Sequence, residues 1–319
     1  MKPDYPNQAL LPRMKDEAFW RALNPDLHIT SHPLRAASAG PAMGADLSER
    51  CVSFFTEEGY FQAPPLIAKD ITTRLAQTVE GMVDQTIPGV FAFVYDEFWQ
   101  LFMAAHRFLA TVLGDGYKVT PSDIWTFHVP RGSQSAGWPP HRDLITQDTI
   151  AGKTVSALTL WIPLTDSTPL NGCMYVLPEK LDPGIGERLL FPQPSLALLQ
   201  NVRALPAAAG SVLGWNTRIL HWGGRSSGQA QEPRISVGIY FHARDLSLNT
   251  LQYQNNEGIR HQVPLAFDAS MELPFQARLL AIAEALQTYE GRSPYSARSI
   301  WQTLRGETAG LEALAAQPG

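Results

Sequence analysis

Five polar residues stand at spacings that can support chemistry. His141 and Asp143 are two apart in His141-Arg142-Asp143. His221 follows eighty residues after His141, and Arg234 and Ser236 lie thirteen and fifteen residues beyond His221. In an extended strand, residues two apart face the same side. His141 and Asp143 can therefore aim an imidazole and a carboxylate at one point, with a later strand supplying His221. Two His and one carboxylate on one face of a metal leave three positions open. That set suits Fe(II) that must bind a co-substrate and oxygen together. A zinc site can use the same ligands, so ligand type alone does not choose the metal. With eight His in the chain a His-x-Asp triplet also arises by chance, and its context has to carry the weight.

That context begins with the segment RISVGIYFHA. Arg234, Ser236, Gly238 and Tyr240 alternate with Ile235, Val237, Ile239 and Phe241. If the polar face points inward, Arg234 is a costly buried charge unless it is paired. A dicarboxylate ligand would pair with it fork to fork, with Ser236 adding a hydrogen bond. The alternatives are an internal Asp or Glu partner, or a solvated face. The triplet itself follows a loop rich in Gly, Ser and Pro, RGSQSAGWPP, and His221 sits in RILHWGG ahead of a double glycine. Loops at the mouth of a barrel are where sites form.

The elements that must position these residues fall into three zones of one domain spanning 1–319. Zone 1–120 is read as helical. DLSERCVSFFTEEGY predicts a helix capped near Asp46 or Ser48. PPLIAKDITTRLAQTVEGMVDQ predicts a second begun by Pro65, and DEFWQLFMAAHRFLATVLG a third closed by Gly114. Zone 121–245 changes period. DIWTFHV, KTVSALTLWIPL, CMYVLP, GSVLGW, RILHW and RISVGIYFHA read as short strands without intervening helices, which points to a barrel or sandwich. Zone 246–319 returns to helix with LPFQARLLAIAEALQTYEG. The fold class is mainly β with flanking helices.

The HRD triplet, HWGG eighty residues on, and the Arg-x-Ser after it resemble the phytanoyl-CoA dioxygenase family of Fe(II)/2-oxoglutarate oxygenases. FFTEEGYFQAPPLIAKD and LWIPLTDSTPLNGCMYVLPEKL, with its Asn171-Gly172 turn, are similar to further family segments, and the likeness spans about residues 50–242. The resemblance implies a double-stranded β-helix, or jelly roll. It implies that His141, Asp143 and His221 hold Fe(II), that Arg234 and Ser236 hold the far carboxylate of 2-oxoglutarate, and that Trp161 lies near this cosubstrate. It implies use of O2, with hydroxylation of an unactivated C–H bond and release of succinate and CO2. Asp143 fills the position that related halogenases leave small, so the resemblance implies hydroxylation or a related oxidation instead. The chain departs from the family in two places. Glu179-Lys180-Leu181 replaces a Gly-Ser-His, and Arg142 stands where Gln is common.

His128, Arg142, Trp138 and Trp125 are candidates for the substrate side. For the aromatics the alternative is ordinary core packing. Arg131, Arg218, Arg225 and Arg244 also cluster around the site strands and favour a small or medium-sized anionic substrate, against the alternative of a solvated rim; a lipid or sugar-type substrate also fits the family. His106 reads as structural. Two rival functions stand beside the oxygenase. A metal-binding, cupin-like protein without oxidation would keep the His/Asp set but not need Arg234 and Ser236. A serine hydrolase would use Ser226 of the Gly-x-Ser-x-Gly segment 224–228, with His242 or His261 and Asp245 or Asp268, but QAQEPRISVGIYF offers no helix after the Ser.

The totals set bounds. A net charge of -5 gives no basic excess for nucleic acid. Two cysteines make neither a disulfide framework nor a thiolate zinc site, and a reducing cytoplasm fits them. The apolar stretch from Phe91 to Leu113 is interrupted by charges, and the N-terminus lacks a secretory pattern, so neither a membrane span nor export is expected.

Overall fold

The structure, a computed structural model, describes residues 10, 12–35, 42–133, 137–143, 155–185, 195–246 and 264–288. In chain order these form α1 (Glu17–Leu23), α2 (Ala45–Glu58), β1 (Tyr60–Pro65), α3 (Lys69–Asp84), α4 (Asp96–Gln100), α5 (His106–Leu113), β2 (Lys118–Val129) and β3 (Trp138–His141). They continue with β4 (Ala157–Pro163), β5 (Met174–Leu177), β6 (Arg203–Leu205), β7 (Ser211–Asn216), β8 (Leu220–Gly223), β9 (Arg234–His242), β10 (Leu265–Ala266) and α6 (Phe275–Thr288).

The strands make two antiparallel sheets. One has the order β1-β7-β4-β9-β2-β10 and the other β3-β8-β5-β6. This is the expected jelly roll with flanking helices. The larger sheet carries apolar side chains on both faces. Ile235, Val237, Ile239 and Phe241 of β9 and Leu158, Leu160 and Ile162 of β4 belong to a large core shared with the helices. Trp161, Leu213, Trp215, Met174 and Val176 form a smaller core between the two sheets. Because both faces are covered, every residue of β9 is buried.

Several helix boundaries differ from the sequence reading. Pro65 ends β1, opposite Ser211, and α3 begins at Lys69. β1 is an edge strand, where residues lacking an N–H do not break the ladder. α2 is capped at Gly44, with Asp46 inside its first turn. The third helix is split: α4, a 3-10 stretch over Leu101–Ala105, and then α5. The boundary placed at 120/121 falls within β2, and β10 from the C-terminal zone pairs with β2. Lys153 and Thr154, the expected start of β4, lie outside the described residues, as does His261.

β2 and β9 lose register between Val119 and Ile124. β3 and β8 do so between Trp138 and His141, with Pro139 and Pro140 inside the bulge. A bulge re-aims the side chains beyond it and tolerates proline. Among the described residues no helix is long and apolar enough to cross a membrane.

Candidate metal centre

The smaller sheet supplies two imidazoles. His141 at the end of β3 lies directly opposite His221 of β8, and their ring centroids are 4.2 Å apart. His141 Nδ1 is 2.8 Å from Pro139 O, the first proline of the bulge, and His221 Nδ1 is 3.1 Å from Ile219 O. A carbonyl can only accept, so each Nδ1 carries a proton, and in a neutral ring of this tautomer Nε2 is the atom free to ligate.

Both Nε2 atoms face Asp143. Its Oδ1 is 3.3 Å from His141 Nε2 and 3.2 Å from His221 Nε2. Asp143 lies just past β3 rather than within a continuous strand, so the bulge and the chain bend share the work of aiming the two ligands. The larger sheet fixes the carboxylate from the other side. Thr159 Oγ1 donates to Asp143 Oδ2 at 2.7 Å and Trp215 Nε1 donates to the same oxygen at 3.0 Å. Thr159 and Trp215 are cross-strand partners on β4 and β7.

One ligand atom from each of His141, Asp143 and His221 lies within 4.8 Å of the others. Burial works against the charged form of Asp143, yet His221 and His141 together hold its carboxyl well below the ordinary range. Burial and the neighbouring His221 lower His141, which keeps its imidazole neutral, the form that ligates a metal. A carboxylate oxygen 3.3 and 3.2 Å from the two Nε2 atoms calls for positive charge between them, either protons on the rings or a metal ion in their place. The donor set therefore fits a divalent metal ion, with oriented ligands and a hydrogen-bonded carboxylate.

Arg234 opens β9 and is 2% exposed. Its Nη1 donates to Ser236 Oγ at 3.1 Å, its Nε has no hydrogen-bond partner, and no carboxylate pairs with it among the described residues. Its guanidinium lies 5.7 Å from the Trp161 ring and 5.9 Å from the Phe127 ring. Burial lowers its pKa to about 10, so it stays charged at neutral pH. A buried cation in this state fits an anionic group, and a carboxylate matches its fork.

Strand register sorts the remaining candidates. Phe127 is opposite Ser236 and Trp125 opposite Gly238, in the row of β9 that carries Arg234. Trp161 also faces Gly238, is fully buried, and has an Nε1 without a partner. Trp138 sits 6.0 Å from the His141 ring and edge-on to Phe127. His128 is opposite Ile235, on the helix-covered face, where Asp84 of α3 is its charged neighbour. It does not face the site, because the alternation that turns Phe127 inward turns His128 out.

Arg142, a candidate for the substrate side, is engaged inside the protein. It is buried, pairs with Asp182 at 2.7 Å and donates to the carbonyls of Arg218 and Gly184. Arg218 pairs with Glu179 at 2.7 Å, and Lys180 with Glu57 at 3.1 Å and with Glu58, so the departing Glu179-Lys180 segment ties β5 to its neighbours. Ser226 Oγ accepts the Gly132 N–H at 3.1 Å, and the chain after it runs to β9 without a helix. His242 is engaged elsewhere, with Nδ1 3.0 Å from Ala243 O. Sequence reasoning missed Thr159 and Trp215. It also passed over Tyr240, whose buried hydroxyl is unpartnered opposite Thr159. Two of them left a signal: Thr159 stands two residues before Trp161 on one face of a strand, and Tyr240 stands in the alternating row that carries Arg234.

A jelly roll with two imidazoles and a carboxylate converging at one point between its sheets, and a buried guanidinium that no carboxylate pairs with among the described residues, is the architecture of a non-haem metal oxygenase that takes an oxo-acid cosubstrate. Residues 58–235, more than half of the chain, match the family model described as phytanoyl-CoA dioxygenase (PhyH). The chain belongs to this family and so to the Fe(II)/2-oxoglutarate-dependent oxygenases.

Solved structures share the fold. An apo non-haem monooxygenase, ThoJ, aligns over 81% of this chain and 100% of its own, with a TM-score of 0.52 and 15% identity. EctD from S. alaskensis, solved with 2-oxoglutarate and 5-hydroxyectoine, covers 78% of this chain and 95% of its own at TM-score 0.51 and 14% identity. SnoN, an α-ketoglutarate-dependent epimerase from nogalamycin biosynthesis, covers 70% and 96% at TM-score 0.50 and 16% identity. No curated protein matches the sequence.

Proposed function

We propose that this chain is a hydroxylase. It takes 2-oxoglutarate, O2 and a small or medium-sized organic substrate with an unactivated C–H bond, and returns succinate, CO2 and the alcohol. His141, Asp143 and His221 would hold the iron. Arg234 and Ser236 would take the far carboxylate of 2-oxoglutarate, with Trp161 beside it. Bound there, iron supplies the redox chemistry that couples decarboxylation to insertion of one oxygen atom.

The observation that carries this reading is Arg234: fully buried, charged, and without an internal carboxylate among the described residues. A metal-binding protein without oxidation has no use for such a residue. Asp143 supports hydroxylation over halogenation, since its carboxylate would take up a position on a bound metal that a halide would otherwise need. The arginines that favoured an anionic substrate give it less support, because Arg142 and Arg218 are engaged by internal carboxylates.

The test is an anaerobic titration. Metal-free protein given Fe(II) and then 2-oxoglutarate should develop the visible charge-transfer band of the chelate. No band from folded protein at saturating ligand would count against the reading. Arg234→Ala should weaken 2-oxoglutarate binding by about 2–5 kcal/mol, as loss of a buried charge partner does, while iron affinity holds. Equal loss of both would move the cosubstrate elsewhere. Ser226→Ala should leave turnover intact.

A further inference from the structure

The two sheets meet at the Arg234 side chain. Arg234 starts in the larger sheet, and its guanidinium reaches across to β8 in the smaller one. Its Nη2 stands 3.3 Å from where a Cβ on Gly223 would be. That is closer than side chains normally approach, so any residue larger than glycine would have to push the guanidinium back. The backbone does not call for glycine here, because Gly223 lies in a regular strand and is not among the residues with positive φ. The other neighbours of the same point are Trp138 N at 3.5 Å and Met174 Sδ at 3.7 Å, so the space is bounded on those sides too. On its far side the guanidinium has the Phe127 and Trp161 rings and Ser236.

β8 thus carries both ends of the site. His221 and Gly223 project to the same face, two residues and about 7 Å apart along a strand. One end gives a metal ligand, and the other gives the bare backbone against which the guanidinium rests. We infer that Gly223 is the positioning residue of the carboxylate clamp. Its missing side chain fixes where Arg234 Nη2 sits relative to the metal end, and so which length of 2-oxo diacid the site accepts. This rests on the reading that Arg234 receives the far carboxylate of the cosubstrate.

Gly223→Ala, Arg234→Lys and the double variant test it. Fe(II)-loaded protein is titrated without oxygen against four-, five- and six-carbon 2-oxo diacids (oxaloacetate, 2-oxoglutarate and 2-oxoadipate), reading the visible band. Gly223→Ala should weaken 2-oxoglutarate binding about tenfold or more, with iron affinity unchanged. It should also alter the ratio of affinities among the three diacids, which a general loosening of the fold would lower in proportion. Lysine has no Nη2, so adding the alanine to Arg234→Lys should cost about twofold or less, a coupling that only contact between the two positions produces.

Wild-type affinity in Gly223→Ala, or an equal alanine penalty in the lysine background, would overturn the inference. A wild-type protein that gives no band would instead overturn the function proposed above. If Gly223→Ala fails to fold, the double variant must fold and match Arg234→Lys. An unfolded double variant means that the glycine serves the strand, and the inference falls.

Discussion

The two oxygens of Asp143 have different duties. Oδ1 faces the imidazoles, while Oδ2 is held by Thr159 and Trp215 from the opposite sheet. Without those donors the carboxylate would be free to rotate and to spread its charge over both oxygens. Thr159→Val keeps the shape and removes one donor. It should weaken metal binding by roughly 10–100-fold, the usual cost of losing a partner that orients a ligand. Isothermal titration with Fe(II) or a redox-inert divalent surrogate measures it; unchanged affinity would show that Trp215 alone suffices. His141 and His221 are oriented differently, by carbonyls of their own chain segments two residues back. Their orientation is a local property of β3 and β8, whereas that of Asp143 is a property of the sandwich.

At the scale of the element, close approach decides several positions. Gly214 lies in β7 between β1 and β4, and a Cβ there would come within 2.5 Å of Phe61 and 2.8 Å of Leu160. Both neighbours belong to the large core and have little room to yield. Gly214→Ala should therefore destabilise the fold by about 1–3 kcal/mol through overpacking, seen as a lower urea midpoint. Metal affinity should be unaffected, because the strain falls on the face away from Asp143. The β3 bulge is the counterpart at the site. Two prolines that offer no N–H to a ladder occupy the irregularity, and the chain leaves it with His141 turned toward His221.

Across the whole molecule, one buried ion pair joins distant segments. Arg278 of α6 pairs with Asp96 of α4 at 2.7 Å, and both are essentially unexposed. Arg278 also donates to the carbonyls of Leu273, Val94 and Thr30, while Asp96 accepts from the Thr30 amide and hydroxyl. Arg278→Met would strand a buried carboxylate and should cost about 3–5 kcal/mol. Adding Asp96→Asn should recover part of that loss in chemical denaturation. Stability should also depend on acid. Burial pulls the pKa values of His128 and His242 below the usual imidazole range. The unfolded chain then takes up protons at a higher pH than the folded one, so this stability is complete above about 6.5 and is lost as pH falls through the lowered values. Melting temperature should drop in that range, and replacing both His with Gln should flatten the dependence.

The sequence by itself put the candidate site forward: two imidazoles, a carboxylate, and an arginine with a serine two residues on. Such features are legible because they are local. Period-two alternation and fixed spacing express strand geometry directly, and an HxD pair or an RxS pair needs no knowledge of the rest of the chain. Alternation cannot say which of two faces is the interior, or which strand lies opposite. His128 and Phe127 look equally eligible until pairing with β9 turns one in and the other out. Arg142 looks available until Asp182, forty residues away, is found beside it. Trp215 and Gly223, and the contact of Thr159 with Asp143, become visible only once the strands that carry them are packed together. Those choices rest on strand register and sheet packing, which are set by contacts between residues far apart in the chain, and only the tertiary structure decides them.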